Sequence, residues 1–213
     1  MIIGAGMRQA GWSLLPIYLL LASTAAVFAA PNENTTFVLH AVQTNFGPCE
    51  VQDPCGPGPG PTVEITLPGQ PYAIYFLVRN YDAISGLQAD LQWPADWTYV
   101  FELSCPPGGL DCFHVGPHTI LCSFNCITGG ATTLMAVINM VPGSGCFEII
   151  DSIWPNGTNV LDCQMNPQPV PKANRGRVCV GPGGINACAS AVPVMPKTWG
   201  LIKSQYRWSA TVQ

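Results

Sequence analysis

Apolar and polar residues alternate with a period of two through much of this chain. Gly86 to Trp93 is the clearest stretch, with Leu87, Ala89, Leu91 and Trp93 set against Gln88, Asp90 and Gln92. Alternation sends successive side chains to opposite faces, so it predicts a half-buried strand with its aliphatic set inward and Asp90 on the solvated side. Tyr72 to Arg79 puts Ile74, Phe76 and Val78 on one face, and Thr62 to Leu67 alternates Val63, Ile65 and Leu67 with polar residues. Thr35 to Gln43 is β-branched and aromatic, as a first strand should be. Further short runs follow at Thr98 to Leu103, Cys112 to Val115, Thr119 to Phe124, Cys146 to Ile150, Asn159 to Cys163 and Gly176 to Val180. Thr132 to Met140 is nearly all apolar, the mark of a strand covered on both faces. Strands this short, separated by turn residues, predict an all-β antiparallel sandwich of Ig-like or jelly-roll type. Asn45 to Pro61, with its G-P-G-P-G-P core, cannot be helix or central strand and reads as a long loop.

Composition narrows the class. Only 9% of the 213 residues are charged, while 22 are Gly and 21 Pro. A coiled coil or helical bundle needs a charged face and few breakers. Disorder pairs low hydrophobicity with high charge, and this chain is 48% hydrophobic. A net charge of −4 gives nucleic acid no basic surface.

Residues 1–29 read as a signal peptide. Arg8 is the basic n-region, Leu14 to Phe28 the apolar run, and Val27-Phe28-Ala29-Ala30 the small-residue end. Cleavage is expected after Ala29, because a cut after Ala30 would place Pro31 at the new terminus. No later stretch is long enough to span a membrane, so the mature protein is expected outside the cytoplasm, extracellular, at the cell surface or in a periplasm. Cysteine usage agrees. All ten cysteines follow the signal, and an even count in an exported chain implies a disulfide framework. Loop entropy favours near neighbours, which pairs Cys49 with Cys55, Cys146 with Cys163 and Cys179 with Cys188. Cys112 and Cys122 flank a turn at Gly116-Pro117 and face each other across a hairpin, with Cys105 and Cys126 closing around them. His114 and His118 lie among these four, but the spacing matches no familiar zinc module. No metal and no cofactor are expected.

The order of a Pro/Gly loop, an aromatic strand and then I-S-G-L-Q-A-D-L-Q-W, from Ile84 to Trp93, resembles cohesin-type and related sandwich modules of bacterial surface proteins. The resemblance spans about residues 35–181 and implies a sandwich of the cohesin type. Cohesins bind dockerins through a sheet face. The ten cysteines depart from that family's usual pattern.

The sandwich domain is expected over 30–181, a Pro/Gly/Ala-rich linker over 182–196 and a basic tail over 197–213. Thr198 can cap a short helix on which Trp199, Ile202 and Tyr206 share a face, with Lys203 and Arg207 alongside. The tail resembles the T-W-G-x-I-K-x-x-Y-R ending of many uncharacterised exported bacterial proteins, which makes a sorting or docking role one reading and packing against the sandwich the other. Residues 31–171 hold all 12 acids and one base, Arg79, whereas 172–213 hold six bases and no acid. Opposite charges of this kind attract within or between molecules.

Catalytic patterns are few. There is no G-x-S-x-G elbow, and Gly181-Pro182-Gly183-Gly184 lacks the Lys-Ser/Thr of a phosphate loop. Glu64, Asp90 and Glu102 are the carboxylates that could meet across strands as a glycosidase pair. Trp97 and Trp154 sit at turns, where a flat ring can stack on a sugar. The sequence thus favours a non-enzymatic exported structural or adhesive module at the cell surface, with a surface or secretion component as a partner of the tail. A carbohydrate-binding module with a glycan ligand is the alternative, and a secreted glycoside hydrolase the third reading.

Overall fold

A computed structural model describes residues 32–189, apart from 51–52, 58–59, 107–111, 116–117, 131 and 154–156. The signal peptide, Trp154 and the tail residues Trp199, Ile202, Lys203, Tyr206 and Arg207 lie outside the described residues.

The chain is all-β, two sheets enclosing one core. The first sheet has the order β1-β3-β8-β5, all antiparallel: β1 (Thr36–Gln43), β3 (Tyr72–Arg79), β8 (Thr133–Val141) and β5 (Thr98–Ser104). The second is built on β4 (Ala83–Gln92), whose residues 83–90 pair with β7 (Thr119–Thr128). On the opposite edge β4 pairs first with β10 (Asn159–Leu161) and then with β9 (Cys146–Ile150). Beyond these lie β11 (Pro167–Pro169) beside β10, and β12 (Arg177–Val180) followed by β2 (Glu64–Ile65) beside β9, while β6 (Cys112–Val115) pairs with β7. β2 and β12 run parallel.

The alternation read from the sequence is the packing. Phe37, Leu39, Ile74, Phe76, Val78, Leu87, Ala89, Leu91, Ile138, Met140 and Phe147 form the core between the sheets. Burial of such side chains, each worth about 1.5–3 kcal/mol, is the main term holding the layers together. β7 runs four residues beyond its expected end, and the Thr62 to Leu67 strand contracts to Glu64–Ile65.

A second, smaller core lies on the outer face of the first sheet. Val38, Ala73, Tyr75, Leu77 and Val137 point away from the first core and are nonetheless buried. What covers them is the Gly/Pro loop. It leaves β1 and crosses the sheet at Gly47, whose N–H donates to Asn139 Oδ1 at 3.0 Å. A Cβ on Gly47 would lie 2.7 Å from Val137 Cγ1 and closer still to Ala73 Cβ, so only glycine fits this crossing. The loop then bonds through Cys49 to Cys105, beyond β5, and through Cys55 to Cys188. It returns where Thr62 N–H donates to His40 Nδ1 at 2.9 Å and Ala41 N–H to Thr62 O. The loop is therefore a strap fastened across the sheet.

The disulfide pairs are Cys49–Cys105, Cys55–Cys188, Cys112–Cys122, Cys126–Cys163 and Cys146–Cys179, with no free cysteine. The hairpin pair Cys112–Cys122 agrees with the sequence reading. The other four pairings, Cys49–Cys55, Cys146–Cys163, Cys179–Cys188 and Cys105–Cys126, are corrected. Loop entropy grows only as the logarithm of loop length, so it yields to strand register. Cys146 and Cys179 stand opposite each other on β9 and β12 with Cα atoms 4.0 Å apart.

The described residues beyond 181 also make contacts with the sheets. Ile185 bridges Arg177, Ala187 is fully buried on the outer face, and Cys188 is bonded to the strap. At the other end Asn32 closes the fold, its Oδ1 accepting from the N–H groups of Asp82 and Ala83.

Candidate functional site

Two surfaces carry unusual side-chain groupings. The first is a groove of about 570 Å³ beside the strap on the outer face of the first sheet. Leu77 of β3 and Leu134 of β8 line it, together with Thr132, and Pro48, Cys49, Glu50 and Asp53 of the strap form its wall. Two opposed observations define its character: aliphatic side chains below, exposed carboxylates above. Asp53 Oδ1 also accepts from Cys55 N–H at 2.9 Å, which fixes the loop before the bridge.

The second surface lies at the end of the sandwich where β5 begins. Tyr99, Trp93 and Phe147 stack in near-parallel planes, at 6.4 Å between Tyr99 and Trp93 and 5.4 Å between Trp93 and Phe147. The stack runs from the 46% exposed Tyr99 to the fully buried Phe147. His118 abuts the Trp93 ring edge to face at 4.2 Å. Burial, and then the charge of Glu102, raise the Tyr99 hydroxyl above the usual phenol range. On the outer face Phe46 of the strap stacks on Phe101 at 5.7 Å.

Trp97 does not join this surface. It is 4% exposed, packs on Phe147 at 6.0 Å, and its indole N–H donates to Ser144 O at 2.6 Å. Its ring faces belong to the core, because the Pro94–Trp97 turn folds it inward and the Asp96 carboxylate accepts from Ser144 Oγ to hold that turn. Tyr99 is an exposed aromatic ring among the described residues at this end.

Two of the carboxylates considered for catalysis, Glu64 and Asp90, are kept apart. Glu64 is on β2 and Asp90 on β4, with β9 and β12 between them, so roughly 14 Å separates their strands at about 4.8 Å each. Glu102 stands in the other sheet. Glycosidase pairs sit about 5–9.5 Å apart. Asp90 is also corrected from the solvated face: it is 5% exposed, because residues 151–153 fold over it and Ile153 N–H donates to its Oδ2 at 2.9 Å.

Other charges hold the frame. Hydrogen bonds from Lys172 and Arg175 hold the Asp151 carboxyl below the usual range. Bonds from Asn166 and Gln164 do the same for Asp162. Arg175 is 7% exposed, donating to Val170 O and to Asp151 Oδ1 at 2.7 Å, and Arg177 reaches Glu148 at 3.9 Å. Three of the six C-terminal bases thus neutralise acids within the body. Lys197, Lys203 and Arg207 are the rest.

His40 sits half-buried at the returning foot of the strap, and burial lowers its pKa below the ordinary 6.5. Its neutral Nδ1 is the acceptor for Thr62 N–H, and Tyr75, itself pushed up and neutral, lies against the ring at 6.1 Å. The unfolded chain therefore takes up a proton that the folded one resists. Stability contributed by His40 is full above about pH 6.5 and falls as the pH drops toward the lowered folded value. The melting temperature of the wild type should fall between pH 7.5 and 5.5, and His40→Gln should flatten that slope; an unchanged slope in the variant would show that other groups set it.

No protein-family model matches the chain, and no curated protein does. Solved structures with a similar backbone include a non-cellulosomal cohesin from the hyperthermophilic archaeon Archaeoglobus fulgidus, 10% identical, covering 68% of this chain and 90% of that one at a TM-score of 0.43. CaCohA2 from Clostridium acetobutylicum is 14% identical over 56% of this chain and 86% of its own, at 0.38. The sandwich assignment itself rests on the strand pairing and the shared core. No helix among the described residues is long and apolar enough to cross a membrane.

Proposed function

We propose that this chain is a non-enzymatic, exported structural or adhesive sandwich module of the cell surface, and that residues 197–213 are its sorting or docking element. The observation that carries this reading is the pairing of all ten cysteines in bridges that fasten loops to both sheets. Such a framework forms and persists in oxidising compartments. It suits a part that bears load or resists proteolysis. The separation of Glu64 from Asp90 by two intervening strands supports the non-enzymatic side of the reading.

Deleting residues 197–213 from the exported protein tests it. The truncated protein should keep its disulfide map and melt within about 2 °C of the full chain, because the domain is closed by Ala187 and Cys188. It should appear in the medium instead of on the cell. Full retention on the cell would end the sorting reading.

A carbohydrate-binding module is the second reading, and exposed Tyr99, backed by Trp93, is what favours it. Glycan-array binding that disappears in Tyr99→Ala would select it over the adhesive module.

A further inference from the structure

We infer that the groove beside the strap is the docking site of this chain's own basic segment, residues 197–207. The inference rests on reading the tail as a docking element and adds where it is held before any partner takes it.

Where the body ends is the first ground. The last described turn, Ala187–Ala189, packs on the outer face of the first sheet, and Cys188 is bonded to Cys55 with Cα atoms 5.5 Å apart. Asp53, in the groove wall, is two residues from Cys55. The tail therefore leaves the domain on the groove's own face. From Ala189 to Lys197 the chain can reach at most about 26 Å, at roughly 3.3 Å per residue, which covers the groove without strain. A tether this short holds its end at an effective concentration on the order of millimolar.

Chemistry is the second ground. The groove offers Leu77 and Leu134 below and the carboxylates of Glu50 and Asp53 beside them. Neither carboxylate has a basic partner among the described residues. Segment 197–207 carries three cations and no acid, and intersperses them with Trp199, Leu201, Ile202 and Tyr206. Apolar side chains on an aliphatic floor, with lysines against rim carboxylates, match residue class for residue class. A volume of about 570 Å³ is within the range that encloses a few large side chains. Docking there hides the tail on the domain until a tighter binder displaces it.

Zero-length carbodiimide coupling of carboxylates to amines on the full mature chain, followed by peptide mapping, tests the site. Lys172–Asp151, in contact at 2.9 Å, is an internal positive control for the chemistry. The expected result is a joint between Lys197 or Lys203 and Glu50 or Asp53, with a yield that is unchanged over hundredfold dilution and falls with salt. The Glu50→Gln/Asp53→Asn double variant should lose that joint and keep its disulfide map; the new amide at 53 retains the oxygen that caps Cys55 N–H. The control joint without the tail joint overturns the proposal. A yield that falls on dilution overturns it as well, by giving the groove to a second copy. Surface retention after tail deletion is scored separately, so a failed groove and a failed docking tail give different results.

Discussion

Replacing Cys55 and Cys188 together by serine is expected to destabilise the fold more than removal of any other bridge, by about 3–5 kcal/mol. This bridge closes 133 residues of sequence, against 56 for Cys49–Cys105 and 10 for Cys112–Cys122. The chain-entropy account gives nearly 5 kcal/mol for a loop above 100 residues and under 3 for a short hairpin. The other bridges already shorten the free loop, which sets the lower end of the range. The native state also loses an anchor. Cys188 holds Ala187 over Val38 and Leu77, and Cys55 holds the strap, so without the bridge water gains access to the outer core. Denaturant unfolding of the two double variants, Cys55→Ser/Cys188→Ser and Cys112→Ser/Cys122→Ser, makes the comparison. Amide exchange at Val38, Ala73, Tyr75 and Leu77 should quicken in the first and not in the second. Equal losses in both would mean that sequence separation does not govern these bridges.

That the strap is a structural member at all was only half legible. The alternation of Leu87, Ala89 and Leu91, and of Ile74, Phe76 and Val78, specified the inner core because one face of each strand meets the other sheet. The Gly/Pro run announced a loop and nothing about where it lies. A signal did exist. Tyr72 to Arg79 and Thr132 to Met140 are apolar on both faces, and a strand of a two-layer sandwich can have two buried faces only if something beyond the layers covers it. The long loop was the available cover, and a glycine at position 47, where any side chain would strike β3 and β8, marks the crossing. Four of the five bridges were illegible for a related reason. Spacing along the chain carries the entropy of closure but not the register of strands, and register brought Cys146 against Cys179. Asp90 illustrates the same limit on a smaller scale. Alternation correctly turned it away from the core, but the covering segment at 151–153 comes from sixty residues further on. The groove owes its acid wall to the strap and its floor to β3 and β8, so nothing local in sequence marked Glu50, Asp53, Leu77 and Leu134 as neighbours.

Trp97 supplies the second large effect. Trp97→Ala is expected to cost about 3–5 kcal/mol of folding free energy, because it empties a large buried volume beside Phe147. It also leaves Ser144 O without its indole donor, in the turn that Ser144 Oγ and Asp96 otherwise join to the Pro94–Trp97 turn. Trp97→Phe separates the two contributions. It keeps most of the packing and removes the hydrogen bond to the exposed Ser144, whose carbonyl water can then reach, so its cost should be nearer 0.5–1.5 kcal/mol, on the order of one ordinary hydrogen bond. Tyr99→Ala, at a half-exposed ring, should cost less than Trp97→Ala by 2 kcal/mol or more, on the order of the difference between a buried and a surface side chain. These values decide how any loss of glycan binding is to be read. A Trp97→Ala protein that fails to bind sugar while melting far below the wild type has lost its fold, and the ring has no claim to the ligand. A Tyr99→Ala protein that melts near the wild type and fails to bind has lost a contact surface. Should Trp97→Ala instead melt like the wild type and lose glycan binding alone, the indole must reach solvent in the native state, and its place in the core would have to be abandoned.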